Sequence, residues 1–237
     1  PTASPSPHEG ELFYNSSSGA FQFIGIATGA WSSGGNLGTA RQSGAGLGIQ
    51  TASLFVAGET GSILDLVENY NGTSWSEVAE VNTARKANTA LGTTSAGLTA
   101  GGASGPPAAF QTLNELWNGT GWSESADLTT GRNALSSAGT TTAGLAFAGI
   151  VSTGESATNE SWNGTSWSEV ADVNTARNNG TGGGISTSAI LAGGLTTAPL
   201  AITETWNGTS WTEVSDLNSA RSQTGGTAES STNSVIF

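Results

Sequence analysis

The chain has 237 residues, 35 of them glycine and 8 tryptophan, and only 10% are charged, against about 25% in an ordinary globular domain. A formal charge of −12 offers no electrostatic footprint for a phosphate backbone or an anionic membrane, so neither nucleic acid nor membrane insertion is expected. With no cysteine and a single histidine, His8, the chain has no thiolate or histidine cluster for a metal and no Ser-His-Asp arrangement, and no cofactor is expected.

Residues 1–20 read as an N-terminal arm or extra strand, and the opening PTASPSPHEG lacks the basic and apolar regions of a signal peptide. Two strand-like segments follow, AFQFIG (20–25) and AWSSG (30–34). The second opens a pattern that recurs to the end of the chain. AWSSGGNLGTAR (30–41) is a degraded first copy, followed by VENYNGTSWSEVAEVNTAR (67–85), NELWNGTGWSESADLTTGR (114–132), NESWNGTSWSEVADVNTAR (159–177) and TETWNGTSWTEVSDLNSAR (203–221). In each copy a tryptophan precedes an arginine by ten positions: Trp31/Arg41, Trp75/Arg85, Trp122/Arg132, Trp167/Arg177 and Trp211/Arg221. Successive tryptophans lie 44, 47, 45 and 44 residues apart, the spacing of a repeat in which each copy is one supersecondary unit.

Each unit reads as four strands. A small-residue stretch after the arginine, such as ANTALGTT (87–94), leads through a turn to an apolar strand ending in glycine: SLFVAG (53–58), GLTAGG (97–102), GLAFAG (144–149) or AILAGG (189–194). The third and fourth strands are joined by Asn-Gly at 71–72, 118–119, 163–164 and 207–208, a strong hairpin signal. The Asn-Gly-Thr sequons there follow from the turn itself, and glycosylation would need a eukaryotic secretory route. Four short strands per repeat give an all-β fold, a β-propeller of four-stranded blades. Residues 221–237 supply only strands one and two, whereas 20–34 supply strand-three-like and strand-four-like pieces. The expectation is a single five-bladed propeller over 21–237, one blade closed by strands from both termini, which removes the open edges that invite aggregation.

The Gly-Gly after strand two, the strand-four Trp and the Arg opening the next unit resemble kelch repeats of the galactose oxidase type, over roughly residues 21–237. WNGTSW and GELFYNSSSGAFQF (10–23) resemble segments of bacteriophage tail-fibre and virion-surface proteins. The second resemblance implies a non-enzymatic structural or receptor-binding module on a virion surface or outside the cell, with other virion proteins or a host-surface protein or glycan as partner. The alternative is a secreted, lectin-like propeller with repeated glycan sites. A galactose oxidase chemistry would need copper ligands that one histidine cannot supply.

Structural roles fall to Trp31, Trp75, Trp122, Trp167 and Trp211, read as wedges between blades, and to Arg41, Arg85, Arg132, Arg177 and Arg221. Each arginine has candidate acids in strand three (Glu68, Glu115, Glu160, Glu204) and just before it (Glu80, Asp127, Asp172, Asp216). A buried guanidinium demands such a partner. These carboxylates repeat with the scaffold, so none stands out as a catalytic pair. Tyr70, Trp117, Trp162 and Trp206, near the hairpins, are expected to be half exposed and are the candidates for stacking on a sugar. The strand two to three connections differ from unit to unit, and Pro106, Pro107 and Phe110 in the longest are a candidate apolar anchor.

Overall fold

The computed structural model describes residues 12–15, 20–23, 33–231 and 233–236. It comprises two compact units, Pro1–Gly34 and Gly35–Phe237. In the first, β1 (Leu12–Asn15) pairs antiparallel with β2 (Ala20–Phe23), Tyr14 facing Phe21. Residues 20–23, expected as strand three of a blade shared with the C-terminus, therefore have β1 as their partner; Ile24, Gly25 and residues 30–32, with Trp31, lie outside the described residues.

The second unit is a succession of antiparallel sheets, and among the described residues there is no helix. The first sheet holds β3 (Ala45–Ile49), β4 (Ala52–Glu59), β5 (Ile63–Tyr70) and β6 (Trp75–Val78) in chain order. The second holds β7 (Thr89–Thr93), β8 (Ala96–Ala100), β11 (Asn114–Trp117) and β12 (Trp122–Glu124), with the hairpin β9 (Ala103–Ser104) and β10 (Ala109–Phe110) set between its middle strands. The third has β13 (Ser136–Thr140), β14 (Ala143–Phe147), β17 (Asn159–Trp162) and β18 (Trp167–Val170), with β15 (Ile150–Val151) and β16 (Gly154–Glu155) interposed. The fourth is β19 (Thr181–Ile185), β20 (Ser188–Ala192), β21 (Thr203–Trp206) and β22 (Trp211–Val214). A two-stranded sheet, β23 (Gly226–Ser230) and β24 (Asn233–Ile236), ends the series.

The first strands of the complete sheets are built from small residues for a steric reason. Gly48, Gly92, Gly139 and Gly184 all take φ between 104° and 106°, and a Cβ there would lie 2.3–2.4 Å from a carbonyl oxygen of the facing strand. Only glycine closes that turn without displacing the backbone.

The hydrophobic core is distributed between neighbouring sheets. Leu47, Leu54, Val56 and Val67 of the first sheet meet Trp117 of the second; Leu91, Leu98 and Ala100 of the second meet Trp162 and Trp167 of the third. Leu145 and Phe147 of the third meet Trp206 and Trp211 of the fourth. Each sheet hides one face against the next, which no sheet of four short strands could achieve alone. The backbone reinforces the stacking: Gly58, Gly102, Gly149 and Gly194 each donate, at 2.8–2.9 Å, to the carbonyl of the arginine that opens the following unit.

Candidate functional site

The repeated charged residues form one lock, copied four times. Arg41 pairs with Glu68, Arg85 with Glu115, Arg132 with Glu160 at 3.0 Å and Arg177 with Glu204 at 2.6 Å; none of these arginine side chains is exposed. Other guanidinium hydrogens go to main-chain carbonyls: Arg132 donates to Thr158 at 2.6 Å and Ala146 at 3.0 Å, and Arg85 to Leu113 at 3.0 Å; among the described residues the buried Nε of Arg132 and of Arg177 has no partner. The glutamate in turn accepts from the backbone three residues before its arginine: from Gly38 at 2.6 Å, and from Asn82, Thr129 and Asn174 at 2.7 Å each. One carboxylate therefore holds both the guanidinium and the turn leading to it. A buried pair persists only with such extra hydrogen bonds, since desolvation otherwise offsets the attraction.

Electrostatics follow the geometry. Burial pushes the Arg85, Arg132 and Arg177 guanidiniums down from their ordinary value, and the carboxylates of Glu115, Glu160 and Glu204 pull them back up. Burial pushes the Glu68 carboxyl up, but donation from Gly38, Arg41 and Thr39 outweighs it and leaves the group below its ordinary value. The strand-four glutamates Glu124, Glu169 and Glu213 stand directly opposite Glu115, Glu160 and Glu204. Facing like charges destabilise a strand pair unless one is neutralised, and the arginine does so here. The acids just before the arginines do other work: Asp127 and Asp172 each accept, at 3.2 Å, from the first residue of strand three, Asn114 or Asn159.

The aromatics correct one expectation. Trp117, Trp162 and Trp206 are buried, with exposures of 5%, 1% and 4%, so they are not half-exposed stacking platforms. Each stacks at a tilt on the strand-four Trp of its own hairpin, with centroids 5.3–5.6 Å apart, and donates its indole N–H to the turn between strands one and two, at Thr94, Thr141 or Ser186. Their burial follows from the strand register, which turns both aromatics of a hairpin toward the preceding sheet. Trp167 and Trp211 are buried, Trp75 and Trp122 partly so, and Tyr70 is intermediate. Trp122 reaches back to donate to Ala79 of the preceding unit at 3.1 Å.

The connections between strands two and three share no such pattern. Thr60–Ser62 is a plain turn, whereas the second and third sheets carry the small hairpins β9–β10 and β15–β16. Pro106 and Pro107 are exposed at the tip of the first hairpin, and Phe110, paired with Ala103, is half-buried at its base. A bridge between Leu195 and Pro199 closes the corresponding segment of the fourth sheet.

A cavity of about 450 Å³ is lined by the second and third residues after all five arginines, including Ser43, Ala87, Ala134, Asn179 and Gln223. These five hold φ between 50° and 58°. The amides of Ala87, Ala134, Asn179 and Gln223 each donate to the carbonyl of the preceding member, at 2.7–3.0 Å. Sequence reasoning missed this lining; its only signal is that the position two after each arginine is always small or an amide.

No family model matches the sequence, and no curated protein matches it. Among solved structures, one described as "Structure of YjhT" is similar, with a TM-score of 0.69 and 12% identity over 80% of this chain and 75% of that one. That likeness extends to the fold alone.

Proposed function

We propose that the chain is a five-bladed, kelch-like propeller that serves as a non-enzymatic contact module on a virion or tail surface, engaging other virion proteins or a host-surface protein or glycan. The observation that carries this reading is the division of labour among side chains. Four of the five repeated arginines with their strand-three glutamates, and most of the repeated tryptophans, are consumed by internal contacts, whereas the exposed hairpins between strands two and three differ from sheet to sheet. Recognition by a repeat scaffold resides in such variable segments.

Support for a five-fold ring comes from the four complete sheets, the half-sheet β23–β24 and a cavity lined at equivalent positions by five successive units. In this reading strands from both chain ends complete the fifth blade. The lectin alternative loses its repeated stacking platform with the burial of Trp117, Trp162 and Trp206.

A glycan array probed with the whole chain tests the choice. Silence, together with binding to tail or capsid particles that disappears when residues 1–20 are removed, supports the virion module. Several weak, equivalent glycan signals would move the protein to the lectin class. A folded, monomeric chain lacking residues 1–34 would overturn the composite blade.

A further inference from the structure

The Asn-Gly pairs that join strands three and four do not form two-residue turns. Each lies in a four-residue loop, as in Asn71–Ser74 between the paired Tyr70 and Trp75, with the glycine at φ between 92° and 94° and the asparagine at negative φ. The asparagine side chain folds over the loop. Asn71 Oδ1 accepts from the amides of Thr73 and Ser74 at 3.0 Å, and Asn118 Oδ1 from those of Thr120 and Gly121 at 2.9 and 3.0 Å. Asn163 and Asn207 have the same two amide donors, all at 2.9 Å. All four asparagines are exposed, and among the described residues none of the amides of Gly72, Gly119, Gly164 and Gly208 has a hydrogen-bond partner.

We propose that these four turns are sites of spontaneous deamidation, activated by the loop itself. The uncommitted glycine nitrogen, once deprotonated, attacks the asparagine Cγ, with no Cβ on the glycine to obstruct it. Negative charge then develops on Oδ1, where two backbone N–H groups already point, the arrangement that stabilises tetrahedral oxyanions in acyl transfer. Collapse breaks the Cγ–Nδ2 bond and releases ammonia, leaving a succinimide. Water opens the ring to aspartate or isoaspartate and is the only co-reactant. Aspartate keeps both amide donors, now as charge-assisted bonds, so the hairpin survives. Isoaspartate inserts a carbon into the main chain of a loop held between paired residues.

The chain contains its own control. Asn179-Gly180 is the same dipeptide, but Asn179 sits at φ 51° in the cavity lining, and its side chain donates through Nδ2 to Asn178 at 2.6 Å. Among the described residues its Oδ1 has no amide donor. The folded chain is held at mildly alkaline pH in water enriched in heavy oxygen, and its peptides are then mapped by mass spectrometry. Heavy oxygen and the mass gain of amide-to-acid conversion are expected at Asn71, Asn118, Asn163 and Asn207, roughly tenfold or more ahead of Asn179, a fraction of what one oxyanion donor contributes in an enzyme. In denaturant that lead over Asn179 disappears. Equal rates at all five sites in the folded chain, or reaction of the four only after unfolding, would overturn the proposal.

Discussion

Glu115 and Pro107 are near neighbours in the chain, yet they are governed by different physics. Glu115 is fully buried, shared between the Arg85 guanidinium and the Asn82 amide, and has counterparts in the sheets on both sides. Pro107 lies exposed at a hairpin tip that no other sheet reproduces. The repeating lattice tolerates little change because each member satisfies a buried group, whereas the tips satisfy nothing internal. Selection for a fold and selection for a partner can thus act on separate residues of one chain.

Breaking the lattice has the largest expected effects. Glu160→Ala leaves Arg132 buried without its partner and is expected to cost about 3–5 kcal/mol in urea unfolding. Trp162→Ala, which empties the interface between the second and third sheets, falls in the same range of about 3–5 kcal/mol, while Trp75→Ala, at a partly exposed site, costs clearly less. Backbone conformation sharpens the contrast at a smaller scale. Gly101 has φ 65°, and a Cβ there would meet the Arg132 carbonyl at 2.7 Å, so Gly101→Ala should cost more than about 1 kcal/mol. Ala57 occupies the equivalent place at φ 64°, and Ala57→Gly should instead raise the melting temperature.

Acid acts on the lattice through Glu68. Its folded-state carboxyl lies below the ordinary value, so its contribution is complete above the ordinary carboxylate range and is lost as the pH falls through the lowered value. Glu68→Gln should flatten the acid limb of a stability-against-pH profile. The smallest effect belongs to Glu59, whose pair with Lys86 at 2.6 Å is partly exposed; Glu59→Gln should change stability by no more than about 1 kcal/mol.

Much of the lattice was legible in the sequence because a repeat displays the same constraint several times over. The arrangement of four strands per unit, an arginine with two recurring sets of candidate acids, and the uniqueness of the Pro106–Pro107 connection could all be read from recurring or non-recurring residues; that the strand-three set holds the arginine came from the structure. What periodicity could not supply was facing. Trp117, Trp162 and Trp206 stood next to a turn signal and so looked exposed, but the cross-strand register turns them inward. The Asn-Gly pairs signalled the hairpins, and only the positions of the Thr73 and Ser74 amides explain why four residues close the loop. The pairing of β2 with β1 was hidden because residues 10–34 match the repeat only in fragments.

The most direct test compares urea midpoints of the wild-type chain, Glu115→Ala and a variant with both Pro106 and Pro107 replaced by serine. The proline variant is expected to unfold with the wild type, within about 0.5 kcal/mol, as surface changes usually do. The midpoint of Glu115→Ala is expected to fall by far more. A proline variant that unfolds early, or a Glu115→Ala chain as stable as the wild type, would contradict the separation of a locked scaffold from exposed, variable tips.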